Sequence, residues 1–261
     1  MLRLARVSLC YNHVPALKDV DLLVESGETV GLLGPNGSGK TTMIKLACGV
    51  LRPSQGEVFL HGSRLDGLRR RVVAREVAVV PQQFFTPFAF TLREVVFLGR
   101  TPFLKAFADD GKRDGRAVDR AMELVGIDGL GQRYFNELSG GERQKGVLAM
   151  ALAQEPSLLL MDEPTAHLDI NYQVEILELV RRLNRERGIT VIAAMHDLNL
   201  AALYFGRLLL LKDGTVFADG RPEEVLTEET IHKVFSASVQ VMRHPSANVP
   251  HVMLNARKDP H

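Results

Sequence analysis

Four short apolar runs, at 29–33, 77–80, 157–161 and 189–195, constrain this chain more than any other feature, because each is rich in Val, Ile, Leu or Met and free of charge. Runs of that length and character read as strands buried on both faces, the usual state of strands in a parallel sheet. Helical periodicity fills the intervals between them. The clearest predicted helix spans 173–187, where Ile176, Leu179, Val180 and Leu183 repeat at i, i+3, i+4 and i+7 and Gly188 supplies a stop. Strands alternating with helices predict an α/β fold. Each run is followed at once by polar or glycine-rich sequence: Gly34 onward, Gln82, Asp162 with Glu163, and His196. Ligands of open α/β sheets bind at the carboxyl ends of the strands, so these four stretches are expected to share one rim.

The remaining regions differ in pattern. Residues 2–25 and 56–60 alternate as an antiparallel β flank would, 87–155 is mostly helical and interrupts the parallel sheet, and the Asp213-Gly214 pair marks a hairpin. The sequence past Arg221 reads as a short helical and extended appendage. A length of 261 residues accommodates one large domain or two small ones. Lys plus Arg number 32 against 31 Asp plus Glu, so the balance of +1 gives no global attraction to nucleic acid or an anionic membrane. The two cysteines, Cys10 and Cys48, lack a CxxC or His-rich companion and are expected to be small core residues. Arg3 and Arg6 interrupt the first apolar stretch, and no apolar run approaches the ~18 residues of a membrane span, so a cytoplasmic location is expected.

Gly34-Pro35-Asn36-Gly37-Ser38-Gly39-Lys40-Thr41 fits G-x-x-x-x-G-K-[ST] and lies between a predicted strand and a helix beginning near Lys40. Glycines let backbone N–H groups turn inward around the β- and γ-phosphates of a nucleotide. The helix N-terminus adds positive potential, Lys40 bridges the phosphates, and the Thr41 hydroxyl, followed by Thr42, is placed to ligate Mg²⁺. The plain alternative, a glycine-rich turn before a helix, leaves the Lys and Thr unexplained. Asp162 and Glu163 put adjacent carboxylates at the end of a buried strand, where a P-loop ATPase needs one for Mg²⁺ and one to accept a proton from the attacking water. By itself such a pair is ordinary solvated charge. His196 and Gln82, each at another strand end, are candidates for positioning water and for sensing Mg²⁺.

Leu138-Ser139-Gly140-Gly141-Glu142-Arg143-Gln144 precedes a helix running to about Ala153, and Ser139 with Glu142 fits a capping box. The order of P-loop, Gln-containing segment, LSGGE-type motif, acidic strand end and histidine resembles that of ATP-binding cassette (ABC) proteins across nearly the whole chain. The resemblance implies a P-loop NTPase with a RecA-like core and β flank (1–86 and 156–220), an inserted helical subdomain (87–155) and a C-terminal appendage (221–261), together one cassette. It implies that Ser139, Gly140 and Gly141 contact the γ-phosphate held by Lys40 of a second copy, so that two ATP molecules are sandwiched in a head-to-tail dimer. Tyr11 resembles the family aromatic that stacks on adenine, and Asp169 in His167-Leu168-Asp169 resembles the D-loop residue that couples the two sites. A strand-edge aromatic and an exposed helix-cap carboxylate are the alternatives for these two. Lys145-Gly146 and Ala149-Met150-Ala151 depart from relatives that carry arginine there, and Gly146 is expected to weaken its helix by up to ~1 kcal/mol relative to Ala.

The segment 81–100 is rich in phenylalanine, including Phe84, Phe85, Phe88 and Phe90. Internal packing is one reading; the other, implied by the resemblance, is a groove for a coupling helix of a membrane permease. This segment, with 196–202 and 220–227, resembles the importer branch serving ferric siderophores, haem and cobalamin; zinc, manganese and molybdate importers have similar wording. The implied protein is an ATPase on the cytoplasmic face of the membrane, partnered by permease subunits and indirectly by a substrate-binding protein, with no nucleic acid. A soluble ABC ATPase of translation, DNA repair or cofactor assembly would share the chemistry. The single cassette, the lack of a long coiled-coil insertion and the lack of a basic run weigh against it. A nonhydrolytic regulator would not need Lys40, Asp162, Glu163 and His196 together.

Overall fold

The computed structural model describes residues 1–104 and 111–255. The stretches 105–110 of the expected helical region and 256–261 of the expected appendage lie outside the described residues. Strands β1 (Leu2–Tyr11) and β2 (Val14–Val24) pair antiparallel across a tight turn in which Asn12 and His13 both take positive φ, the geometry that matches strand twist. After β3 (Thr29–Leu33) come α1 (Lys40–Ala47), β4 (Gln55–Leu60), β5 (Ser63–Arg64), α2 (Arg70–Glu76) and β6 (Val77–Val80). A helical stretch follows: α3 (Leu92–Phe97), α4 (Gly111–Leu124) and α5 (Gly140–Ala153). The chain then returns to alternation with β7 (Leu158–Asp162), α6 (Ile170–Arg187), β8 (Thr190–Ala194), α7 (Leu198–Tyr204), β9 (Arg207–Lys212) and β10 (Thr215–Gly220). It continues through α8 (Pro222–Val225), α9 (Glu228–Phe235) and the hairpin β11 (Val239–Arg243) and β12 (Pro250–Leu254).

The central sheet has the order β10-β9-β3-β8-β7-β6, parallel except for β10 at its edge. The flank is a second, antiparallel sheet ordered β2-β1-β4-β5. Successive strand residues point to opposite faces, and the core divides accordingly. Leu159, Met161, Val191, Ala193, Leu208 and Leu210 pack on one side with α3, α5, α6 and α7. Leu158, Leu160, Ile192, Ala194, Leu209 and Leu211 pack on the other with α1 and the flank sheet. Each of the buried Leu, Ile, Val and Met side chains among them contributes about 1.5–3 kcal/mol. Both faces being covered is why the four strand runs carry no charge.

The expected strand at 157–161 is shifted by one, because Asp162 still pairs with Ala194 in the ladder. Helix α6 begins three residues before the expected 173, with Asp169 as its N-cap residue, and ends where Gly188 takes the left-handed conformation. The expectation for the cysteines is corrected. Cys10 is exposed, since Leu9 beside it faces the core and alternation turns Cys10 outward. Cys48 is only half-buried, at the C-cap of α1, where burial pushes its thiol up from its ordinary range.

The departure at Gly146 has a packing cause. A Cβ there would lie 2.6 Å from Leu92 Cδ1 and 3.2 Å from Phe135 Cε2, so glycine is what lets α3 approach α5. Lys145 pairs with Glu175 of α6 at 2.5 Å. The phenylalanines divide: Phe84 and Phe90 pack against the core, Phe84 edge-on to Phe135 with centroids 5.5 Å apart, whereas Phe85 and Phe88 are 82% and 65% exposed.

Candidate active site

The loop 34–41 joins β3 to α1 as a closed backbone cradle. Gly34 and Gly39 have φ of 144° and 107°, and a Cβ on Gly34 would meet Leu211 O at 2.3 Å while one on Gly39 would meet Leu17 Cδ2 at 2.6 Å. Only glycine satisfies both the conformation and the space. Pro35, Asn36 and Gly37 form the outer part of the loop, with Asn36 and Gly37 exposed. Lys40 is buried and folds back so that its Nζ donates to Gly34 O at 2.8 Å and Pro35 O at 3.2 Å. Burial pulls its pKa below the ordinary lysine range, against the opposing charges of Glu163 and Asp162. No side chain caps α1, so its first N–H groups are available to an anion.

Thr41 Oγ1 donates to Asp162 Oδ1 at 3.1 Å, joining the loop to the end of β7. Burial holds the Asp162 carboxyl above its usual range, with the Thr41 bond acting against that and the Glu163 charge reinforcing it. Ser38 Oγ is buried with no hydrogen-bond partner among the described residues, and Thr42 is buried beside the loop. A buried hydroxyl is costly without a partner, and an orphan inside a glycine cradle fits a loop shaped for a phosphate oxygen. The Thr41 and Asp162 oxygens are the hard donors that Mg²⁺ prefers.

Glu163 follows with φ of 52°, an uncommon conformation for a side chain that is not glycine or asparagine. This reversal turns its carboxylate to the rim, where Oε2 accepts from Gln82 Nε2 at 2.5 Å and Oε1 lies 2.5 Å from His196 Nε2. Three residues from the ends of β6, β7 and β8 are thus in direct contact, beside the Thr41 and Asp162 pair. Strained backbone held in place by its surroundings is characteristic of working sites.

Ser139, Gly140 and Gly141 form the start of α5. Ser139 Oγ accepts from Glu142 N at 3.3 Å, and the Glu142 carboxylate accepts from Ser139 N at 2.8 Å, so the expected capping box is present. No hydrogen bond among the described residues joins this turn to the loop 34–41; it stands apart from the Glu163 cluster. Tyr11 is 45% exposed at the end of β1, on the hairpin whose Ala16 and Leu17 abut Gly39. Asp169 is exposed at the N-cap position of α6 but makes no capping bond, which leaves its carboxylate uncommitted. Gln144 closes the Leu138–Gln144 motif, and the sequence pattern assigns it no role. Its Nε2 donates to Pro164 O at 2.9 Å, tying α5 to the segment after Glu163, and nothing local in the sequence signals that contact.

Residues 17–166 match the family model described as ABC transporter. The chain belongs to the ABC transporter family. This ABC chain is 40% identical over 250 residues to the ABC transporter ATP-binding protein YvrA of Bacillus subtilis (strain 168), a match covering 95% of this chain and 57% of that longer relative. It is 36% identical over 259 residues to the ferric enterobactin transport ATP-binding protein FepC of Escherichia coli (strain K12), covering 99% of this chain and 96% of FepC. Its fold matches the ATP-binding cassette MJ0796, solved as a dimer in a post-hydrolysis state with ADP and Pi, at a TM-score of 0.76 and 30% identity over 85% of this chain and 98% of that one. The ABC chain is a nucleotide-binding, ATP-hydrolysing unit coupled to transport. Among the described residues no helix is long and apolar enough to cross a membrane.

Proposed function

We propose that this ABC ATPase powers uptake of a metal chelate of the iron-siderophore, haem or cobalamin type through a separate membrane permease, working as a head-to-tail pair of copies on the cytoplasmic face. The observation that carries the chemistry is the Glu163 carboxylate held between Gln82 and His196 next to the Thr41 and Asp162 pair. Residues 34–42 hold the phosphates, with Lys40 leaving its loop carbonyls for the β- and γ-oxygens and Tyr11 stacking on adenine. Thr41, Asp162 and Gln82 would hold Mg²⁺, which when bound neutralises charge on the phosphate oxygens. Glu163 accepts the proton of the attacking water, and His196 fixes that water and the γ-phosphate. These roles divide the chain into a nucleotide-binding core, a helical unit at 87–155 and an appendage from 221.

The second copy is supported by two features of the chain. The uncommitted Asp169 carboxylate lies beside Ile170, an aliphatic side chain 77% exposed, and the N–H groups of Gly140 and Gly141 have no partner among the described residues. Both suit contact with another protomer and its ATP. The exposed Phe85 and Phe88 are suited to receive a permease helix, and FepC, a ferric enterobactin transport protein, supports the chelate class. A substrate-binding protein would deliver the cargo to that permease. The test is a mild-detergent pull-down from native membranes, with ATPase assayed with and without the copurifying proteins. Stoichiometric recovery of a multi-spanning permease is expected, and that complex should respond to a ferric or corrinoid chelate. Recovery of soluble partners alone would move the assignment to a soluble ABC ATPase.

A further inference from the structure

Tyr172 lies in the first turn of α6, and its ring is packed against the backbone of Gly141 in α5. A Cβ built on Gly141 would fall 2.3 Å from ring atom Cδ1 and 2.4 Å from Cε1 and Cγ, so the ring occupies the space a side chain would need. One turn further along, Lys145 Nζ is 5.7 Å from the ring centroid and 2.5 Å from Glu175 of α6. The first turn of α5 is therefore backed by α6 on one side. Gly140 is exposed and Gly141 buried, and the N–H groups of both are unpartnered among the described residues, while Glu142 and Arg143 donate theirs to Ser139. The Ser139–Glu142 capping box fixes the turn locally, but the glycines contribute no side chain, so its seating against α6 is set by the ring behind it.

We propose that Tyr172 is a positioning residue: its ring is the stop against which the LSGGE turn is seated, so that the Gly140 and Gly141 N–H groups meet the ATP of the partner protomer at a fixed angle. This rests on the two-copy reading above. The ring acts through Gly141 and touches no nucleotide itself. A truncated side chain would leave a void behind Gly141, let the turn rock, and lower the fraction of protomers competent to close.

The test uses the full chain with Glu163→Gln to retain ATP, and follows dimer formation by sedimentation velocity against Mg·ATP concentration. Tyr172→Ala should raise the ATP concentration for half-dimerisation by about tenfold, while binding of a fluorescent ATP analogue to the monomer changes by less than about twofold. Tyr172→Phe keeps the ring and should dimerise as the parent does. Gly141→Ala places a methyl group inside the ring position and should impair dimerisation, and adding Tyr172→Ala should recover part of that loss. Parent-like dimerisation of Tyr172→Ala overturns the proposal. Should Tyr172→Ala fold poorly alone, absence of any recovery in the Gly141→Ala pair overturns it equally. Failure of the parent itself to dimerise at any ATP concentration removes the two-copy reading and this inference with it, an outcome distinguishable from a defect confined to the variants.

Discussion

At the scale of single residues, the rim concentrates opposite charges whose energetics differ. Glu163 accepts a hydrogen bond from Gln82 and sits against the His196 ring, which together hold its carboxylate in place. Glu163→Gln should keep ATP binding, lower the hydrolysis rate by roughly 10²–10⁴-fold, and accumulate a closed ATP-bound dimer; rapid phosphate release in a single-turnover assay would remove Glu163 as the base. Lys40→Ala should instead weaken nucleotide binding itself, read by equilibrium titration. Asp162 is a different case, because burial raises its pKa above the ordinary 3.8. The folded chain then binds that proton more tightly than the unfolded chain. The stabilisation is complete below the ordinary value and is lost as pH rises through the raised one, so at neutral pH the ionised carboxylate is a burden on the nucleotide-free fold. Asp162→Asn keeps the acceptor for Thr41 and removes the charge. It should raise the melting temperature of the nucleotide-free protein at neutral pH while abolishing Mg·ATP hydrolysis; calorimetry against pH should show the gain appear as pH rises above the ordinary carboxylate range and then level off.

At the scale of elements, close approach between helices governs the helical stretch. A Cβ on Gly99 would lie 2.0 Å from Met150 O, and one on Gly146 would lie 2.6 Å from Leu92 Cδ1. Alanine is the better helix former, so propensity alone would favour both substitutions. Packing decides otherwise, since the core around Leu92 and Phe135 is fully buried and cannot give way cheaply. Gly146→Ala should cost about 1–3 kcal/mol in urea unfolding, and Gly99→Ala more, because its obstacle is a backbone carbonyl. Arg100 shows the same dependence on context. It is buried against Asp114 at 2.8 Å and donates to Ala153 O at 2.7 Å, so it ties the end of α3 to α4 and α5. Arg100→Ala would strand a buried carboxylate and should cost about 3–5 kcal/mol by the same measurement.

At the scale of the whole molecule, the appendage packs on the core through Val225, Leu226 and Val234, and its terminal hairpin is gripped by one side chain near the rim. Asn199 of α7, three residues after His196, donates Nδ2 to Val252 O at 3.1 Å and accepts from Val252 N at 2.7 Å, binding β12 as a neighbouring strand would. Asn199→Ala should loosen the hairpin of β11 and β12 and expose the turn at 244–249 to proteolysis and faster amide exchange. The protection of β3, β7 and β8 should stay unchanged, as mass-resolved hydrogen exchange would show.

Much of this protein was legible in the chain because the determining signals are local. The four charge-free runs state that a sheet is covered on both faces, and G-x-x-x-x-G-K-T encodes a backbone path that only glycines follow. The Ser139 and Glu142 capping box spans three residues, and Gly188 ends α6 by its own conformational freedom. Neither cysteine is a core residue, because alternation along β1, not hydrophobicity, sets which way Cys10 points, and Cys48 sits at a helix end. Contacts between distant segments could not be read in advance. The seat of Gly141 on Tyr172, the need for glycine at 146, the bond from Gln144 to Pro164 and the grip of Asn199 on Val252 join residues far apart in the chain, and their geometry exists only once the sheet has brought the helices together. Local pattern determined the elements and the glycine loop between β3 and α1; packing in three dimensions decided which side chains hold those elements at working distances.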